Sequence, residues 1–299
     1  MSKPLSLELP RGAGPRTFDT ERGPIAAIEA RPDPKDRRHD QSAQPGTAAV
    51  LVPGFTGSKE DFLPTLGPLA ASGWTVIAYD QRGQYETGGP DDPSAYTVPA
   101  LADDLLAIVH DVGAPVHLVG HSFGGIVARA AVIKRPDAFR SLTLLGSGLA
   151  GIGGARRTWL ELMAPVVAEG GVPGLWAGLE AVQASDPRMQ SLPQEIRDFL
   201  KRRFLAQAAV GVQVSGQALL DEPDRVDELR SAYSGPILVA FGAGDDAWPA
   251  PVQEEMATRL GVPHVVIPDA LHSPAAENPD VTAKVLAEFW DQAEADASR

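Results

Sequence analysis

The chain has 299 residues, of which 43% are apolar, and it carries a formal net charge of -13. Its length and apolar content suffice for one catalytic domain with a full core, whereas its acidity and the lack of a basic face argue against nucleic acid as a partner. Cysteine is absent, which excludes disulfide bonds, thiolate nucleophiles and cysteine-ligated metals.

The N-terminal stretch has no recognisable export signal. Charged residues and prolines interrupt the chain from Met1 to Gly14, so an apolar segment of about 7 to 15 residues is missing there. No stretch of the sequence comes close to the roughly 18 consecutive uncharged apolar residues that a membrane-spanning helix needs. We therefore expect a soluble, cytoplasmic protein with no membrane partner, and the sequence does not predict its oligomeric state.

Short β-branched runs alternate with amphipathic stretches along most of the chain, a pattern typical of βα units around a mostly parallel sheet. Residues 5–9 and 25–30 are predicted to form a leading antiparallel pair, and the polar stretch 31–46 a mobile loop. The remaining strand candidates are apolar throughout, which indicates strands covered by helices on both faces. They are residues 48–52, 75–79, 116–119, 142–145, 237–241 and 264–267.

The helical signals divide the chain into a core and an insertion. The clearest helix has Leu101, Leu105 and Ile108 on one face at helical spacing. By contrast, the segment from residue 149 to residue 232 is far longer than a βα connection and contains no convincing strand. We therefore predict an α/β core of residues 1–148 and 233–299 with a helical cap of residues 149–232 inserted into it.

The sharpest motif is Gly120-His121-Ser122-Phe123-Gly124, which lies between the apolar run 116–119 and a helical stretch. A nucleophilic serine on a tight strand-to-helix turn has a strained backbone, so the positions two residues away must be very small. The helix that follows would direct its N-terminus at the serine and favour negative charge there. This setting predicts a nucleophile elbow at Ser122.

With this motif the chain resembles the α/β-hydrolase superfamily, most closely capped esterases and their haloperoxidase-like relatives. The matching motifs occur in the family's order and span about residues 50 to 279. They are Gly54-Phe55-Thr56-Gly57, Asp80-Gln81-Arg82-Gly83, the elbow, Gly242-Ala243-Gly244-Asp245 with Pro249, and His272-Ser273-Pro274. The resemblance implies a mostly parallel, doubly wound sheet of eight strands with an inserted helical cap.

In this family the nucleophile, the acid and the base follow one another as Ser, Asp and His. His272 is the candidate base, because the other histidines lie in the polar loop, on a helix, in strands or directly beside the nucleophile. The family pattern selects Asp245 as the acid that orients this base, and the adjacent Asp246 is the alternative. If Asp246 is not the acid, we expect it to cap a helix that starts at Pro249.

The resemblance also implies an oxyanion hole made by the backbone N–H groups of Phe55 and Phe123. The chain departs from the family at Pro53, where relatives have histidine, and at Tyr85 and Thr87, where they have glycine and serine. Tyr85 could narrow the pocket or pack as an ordinary aromatic side chain.

The aromatic side chains of the chain leave a further choice open. Trp159, Trp176 and Trp248 could line an apolar acyl site or simply fill the core.

Together these features predict a serine hydrolase that cleaves an ester-like bond of a small, apolar molecule through an acyl-enzyme. No cofactor or metal is expected, since no residues cluster as metal ligands and the glycine-rich stretches lack dinucleotide and P-loop spacings. A carbon-carbon hydrolase, a lactonase or a lyase would use the same three residues. A ligand-binding member of the fold without activity is a further alternative.

Overall fold

The structure is a computed structural model that describes residues 2–33, 47–184 and 186–298. Its centre is one sheet of eight strands in the order β1-β2-β4-β3-β5-β6-β7-β8. The strands are β1 (Ala13–Thr20), β2 (Gly23–Ala30), β3 (Ala48–Val52), β4 (Thr75–Tyr79), β5 (Val116–His121), β6 (Phe139–Leu145), β7 (Ile237–Gly242) and β8 (His264–Ile267). Strands β3 to β8 pair in parallel, and β1 and β2 form the antiparallel edge. The predicted doubly wound, mostly parallel sheet is confirmed.

Eleven α-helices belong to the described residues. They are α1 (Leu63–Ala71), α2 (Val98–Val112), α3 (Phe123–Lys134), α4 (Gly154–Gln183), α5 (Pro187–Gln190), α6 (Gln194–Leu205), α7 (Ala209–Asp221), α8 (Val226–Ala232), α9 (Ala250–Leu260), α10 (Pro274–Glu277) and α11 (Pro279–Ala297). Helices α2, α3, α8 and α9 contribute to the apolar core on one face of the sheet. Helices α1 and α11 contribute to the core on the other face. Parallel strands covered on both faces explain the continuous apolar runs in the sequence.

The leading antiparallel pair differs from the prediction. Residues 5–9 form no strand, and β2 pairs along its whole length with Ala13–Thr20 instead. Residues 5–9 are bracketed by Pro4 and Pro10, and a proline has no N–H to contribute to a ladder. The Pro10 carbonyl accepts a hydrogen bond from Ala13 N at 3.0 Å, which closes a turn just before β1. Most of the predicted mobile loop, residues 34–46, lies outside the described residues.

Strand β8 is the second difference. It pairs only with β7 and forms the edge of the sheet, and its residues His264 and Val266 are exposed. The expectation that every apolar run is covered on both faces is therefore wrong for this strand.

Helices α4 to α8 occupy the chain between β6 and β7. Helix α4 bends at Gly171, whose φ of 60° lies in the left-handed region that favours glycine. Within the described ranges, α4 is the one helix long and apolar enough, by length and composition, to cross a membrane, with 22% of its most apolar window buried. This criterion admits charged residues, and Glu161, Glu169 and Glu180 divide α4, so the helix contains no run of about 18 uncharged apolar residues.

Candidate active site

Ser122 lies at the turn between β5 and α3. Its φ of 55° is in the left-handed region, which is strained for any residue with a side chain. A Cβ atom at Gly120 would lie 2.5 Å from Gly124 O, and one at Gly124 would lie 2.3 Å from Val52 O. Only glycine fits at these two positions, because the strand and the helix approach each other so closely around the serine.

The structure brings the three predicted side chains into one chain of hydrogen bonds. His272 Nε2 lies 2.9 Å from Ser122 Oγ, and His272 Nδ1 lies 3.0 Å from Asp245 Oδ1. With its proton on Nδ1, the imidazole donates to the carboxylate and accepts from the serine hydroxyl. The Asp245 side chain is fully buried, and that of His272 is 16% exposed. This geometry is suited to activating a serine hydroxyl as a nucleophile.

The carboxylate of Asp245 is held from three sides. Its Oδ1 accepts hydrogen bonds from the backbone N–H of Ala247 at 2.9 Å and of Trp248 at 3.4 Å. Its Oδ2 accepts a hydrogen bond from Gln253 Nε2 at 3.1 Å. Gln253 lies on α9 and had no recognisable signal in the sequence.

Asp246 pairs instead with Arg156 on α4, with distances of 2.8 and 3.2 Å between their atoms. The prediction that Asp246 caps the following helix is wrong. Helix α9 begins at Ala250, and its N-cap residue is Pro249. The two adjacent carboxylates thus have different partners. Asp245 bonds to the imidazole of His272, and Asp246 pairs with Arg156 on α4.

The loop that carries His272 is held by two further residues. Glu277 Oε2 accepts hydrogen bonds from Leu271 N at 2.7 Å and from Ser273 N at 3.0 Å. His121 Nε2 lies 2.7 Å from the His272 carbonyl oxygen. Burial lowers the pKa of His121 to about 4, and the adjacent His272 adds to this effect, so the His121 ring is neutral at pH 7. A neutral ring with its proton on Nε2 donates to that carbonyl and fixes the backbone of the loop.

The other described histidines, His110, His117 and His264, take no part in the hydrogen-bond chain of the serine. His117 is buried on β5, with its Nδ1 2.8 Å from Ser141 Oγ. His110 lies on α2 and His264 at the exposed start of β8. His39 falls outside the described residues.

The backbone N–H groups of Phe55 and Phe123 flank the serine. Phe123 is the first residue of α3, and the loop with Phe55 follows β3. A Cβ atom at Gly54 would lie only 3.0 Å from Ser122 Cβ, so this loop passes directly beside the serine. Within the described part of the chain, neither N–H has a hydrogen-bond partner. Both are therefore available to an oxygen that develops negative charge at this point.

A cavity of about 410 Å³ opens onto Ser122 and His272. Its walls combine the loop after β3 with apolar side chains of α4, α6 and α7. The apolar side chains that line it are Phe55, Ile152, Trp159, Leu160, Leu175, Leu179, Phe204 and Leu219. Its charged lining comprises the Arg156–Asp246 pair and Asp61, which pairs with the buried Arg203 of α6.

Of the three tryptophans and Tyr85, one side chain lines the cavity and the other three are packed elsewhere. Trp159 lines the cavity, whereas Trp176 packs on Phe204 and Trp248 is buried with its Nε1 donating to Ala150 O at 3.2 Å. Tyr85 packs edge-on against Phe199, with the ring centroids 5.8 Å apart, and is not among the cavity-lining residues. Of the two alternatives for Tyr85, the structure therefore has the packed aromatic side chain.

Over residues 2–33, 47–184 and 186–298, no group of three or more His, Asp or Glu side chains is arranged to hold a metal ion.

Comparison with known proteins places this geometry in context. The family model described as "Alpha/beta hydrolase family" matches residues 49–285. Pimeloyl-[acyl-carrier protein] methyl ester esterase from Neisseria meningitidis is 27% identical over 265 residues, which cover 85% of this chain and 97% of that protein. Epoxide hydrolase 3 from Siraitia grosvenorii is 32% identical over 36% of this chain and 35% of its own length. For the first curated relatives, which include two epoxide hydrolases of this plant, the chain spans only about a third of the relative's own length.

Among solved structures, the thermophilic esterase from Thermogutta terrifontis has a TM-score of 0.69 and 24% identity. The superposition covers 94% of this chain and 99% of that one. At this level of identity the likeness concerns the fold.

Proposed function

The chain belongs to the alpha/beta hydrolase family, and from that premise we propose that it is a serine hydrolase that cleaves an ester-like acyl bond through an acyl-enzyme. One observation carries the proposal. The hydrogen-bond chain from Asp245 through His272 to Ser122 ends with Ser122 in the wall of a cavity of about 410 Å³. A hydroxyl coupled to an imidazole and a buried carboxylate is the arrangement that acyl transfer requires.

In the proposed reaction Ser122 Oγ attacks the acyl carbonyl carbon while His272 Nε2 takes the hydroxyl proton. Asp245 stabilises the imidazolium that results, and the N–H groups of Phe55 and Phe123 bind the oxyanion. The imidazolium then gives its proton to the leaving alcohol as the ester bond breaks and the acyl-enzyme forms. Water, deprotonated by the same histidine, attacks the acyl-enzyme and releases the acid and the free serine.

We further propose that residues 149–232 act as a cap that delimits the substrate. Two ion pairs connect this segment to the rest of the chain beside the cavity, Arg156 with Asp246 and Arg203 with Asp61. Side chains of α4, α6 and α7 supply much of the cavity wall. The cap would therefore determine which acyl or alcohol groups fit over the serine.

The apolar lining of the cavity supports a small, apolar substrate. The Neisseria meningitidis relative, which matches over most of its length, is named a methyl ester esterase. That name is in keeping with an ester as the substrate of this chain. The shorter epoxide hydrolase match carries less weight, because a serine in the elbow disfavours epoxide opening, for which this fold uses an aspartate nucleophile.

Hydrolysis of a matched substrate panel tests the proposal. The panel comprises p-nitrophenyl esters of increasing acyl length, lactones and thioesters, each with the wild type and with Ser122→Ala. We expect ester turnover by the wild type, with preference for an apolar acyl group, and a loss of roughly 10⁵- to 10⁶-fold in the variant. Equal turnover of any ester by the wild type and Ser122→Ala would contradict the proposal.

A further inference from the structure

Two buried glutamines contact the loop that carries Phe55. Gln81 Nε2 donates to Pro53 O at 2.8 Å, and Gln84 Nε2 donates to Gly54 O at 2.8 Å. The two glutamines are also linked to each other, because Gln84 Oε1 accepts from Gln81 N at 3.1 Å. Consecutive carbonyl groups beside the serine are thus each held by a side-chain amide from the loop after β4.

The Gly54 carbonyl belongs to the same peptide unit as the Phe55 N–H. In a planar trans peptide these two groups point in opposite directions. The carbonyl receives two hydrogen bonds, one from Gln84 and one from Gly57 N at 3.1 Å. Among the described residues the N–H has no partner. Holding the carbonyl end therefore fixes the direction in which the N–H end points.

Such a constraint matters because an oxyanion hole works through donors that are already oriented before reaction. Were the peptide unit to rotate by half a turn, it would present the Gly54 oxygen, a hydrogen-bond acceptor, to the developing negative charge. The loop is prone to such changes, since Gly54 has no side chain and Thr56 has a φ of 53°, in the strained left-handed region.

The loop after β4 is itself rigidly anchored. Asp80 Oδ2 accepts from Glu86 N at 3.1 Å and from Lys59 Nζ at 2.9 Å. Tyr85, with a φ of 34° where relatives have glycine, packs against Phe199 of α6. Gln84 is only 6% exposed. Its amide is therefore fixed in place by the surrounding packing.

We propose that Gln84 is a positioning residue of the oxyanion hole, which orients the Gly54–Phe55 peptide so that the Phe55 N–H faces the carbonyl oxygen of the substrate. This role rests on the proposed function. Gln84 touches neither the substrate nor the reacting atoms. It acts by holding the opposite end of the peptide that does.

Two substitutions remove the donor while retaining the size of the side chain. Gln84→Glu presents a carboxylate, which repels the Gly54 oxygen, and Gln84→Met presents an apolar group. We expect each to lower kcat by about 10- to 100-fold, below the roughly 10²- to 10³-fold cost of losing an oxyanion donor outright. The KM should change by less than about threefold, because the lost interaction is made in the transition state.

Tyr233→Phe is the matched control. The Tyr233 hydroxyl also donates to a backbone carbonyl in the core, that of Phe139 at 3.2 Å, and it is remote from the serine. This variant loses a comparable hydrogen bond and should keep kcat within about twofold of the wild type. Thermal unfolding of all three variants checks that they are folded at the assay temperature.

The second measurement is the affinity for an alkyl boronic acid, whose tetrahedral adduct with a serine places an oxygen in the oxyanion hole. The inhibition constant should rise in Gln84→Glu and Gln84→Met by the same factor by which kcat/KM falls, and stay unchanged in Tyr233→Phe. Wild-type kcat and boronate affinity in both folded Gln84 variants would overturn the role of Gln84 alone. Absence of ester turnover and of boronate binding in the wild type would overturn the proposed function and this inference with it.

Discussion

The adjacent carboxylates Asp245 and Asp246 differ in what they touch. Asp245 lies 3.0 Å from the imidazole of His272, whereas Asp246 pairs with Arg156. An uncharged amide at position 245 would stabilise the wrong tautomer of the imidazole and leave the imidazolium without a counter-ion. We expect Asp245→Asn to lower kcat for an ester by up to about 10⁴-fold.

Asp246→Asn is the natural comparison, because it removes one charge from the next residue. The Asp246 side chain is 63% exposed, and exposed ion pairs contribute little. Its kcat should therefore stay within about tenfold of the wild type. Steady-state kinetics of the two variants decide between the neighbours, and a larger loss in Asp246→Asn would show that the acid has been assigned to the wrong residue.

Residues that belong to motifs in a known order could be predicted from the sequence, and side chains whose partners are backbone groups could not. Ser122, Asp245 and His272 each belong to a recognisable motif, and the structure brings them together. Gln84 bonds to the carbonyl of a residue 30 positions earlier. Any residue offers a carbonyl, so such a contact leaves no trace in the sequence. The same holds for Glu277, which bonds only to backbone N–H groups.

Among the elements, the parallel strands β3 to β7 were predicted well because both of their faces are buried. Strand β3, for example, is buried at every position, and its apolar run stands out. Strand β1 has one buried residue, Phe18, among half-buried and exposed ones and includes Pro15 and Asp19, so it lacks that signal. The apolar positions at 5–9 were misleading, since Leu5 and Leu9 are exposed, Leu7 packs against the core, and none of them pairs in the sheet.

Helix α4 offers an element-scale test of the cap. Leu179 lines the cavity on this helix, whereas Leu162 on the same helix is 62% exposed. Leu179→Trp should fill part of the cavity and lower kcat/KM for a long acyl ester relative to acetyl ester by roughly tenfold or more, the scale of one or two misfitted methylene groups. Leu162→Trp should leave that ratio unchanged.

The ratio of kcat/KM for p-nitrophenyl octanoate to that for p-nitrophenyl acetate is the quantity to measure. Taking the ratio cancels any loss of activity that comes from lower stability, because the same protein hydrolyses both substrates. If Leu179→Trp and Leu162→Trp gave the same ratio, residues 149–232 would not delimit the substrate as proposed.

For the whole molecule, the doubly wound sheet determines where the site lies. Ser122 follows β5, Asp245 follows β7 and His272 follows β8, so all three lie at the carboxyl ends of parallel strands. This edge of an open α/β sheet is where ligands bind. The fold class and the site's place in it could thus be predicted from the alternation of strands and helices along the chain and from the motifs that follow the strands. The cavity shape could not, because it depends on how α4, α6 and α7 pack over the serine.

Covalent labelling by a fluorophosphonate, followed by peptide mass spectrometry, tests the central claim most directly. The account predicts one adduct, on Ser122, and strongly reduced labelling in His272→Ala, because the hydroxyl then lacks its base. A wild-type protein that stays unlabelled, or one labelled equally in Ser122→Ala, would contradict it.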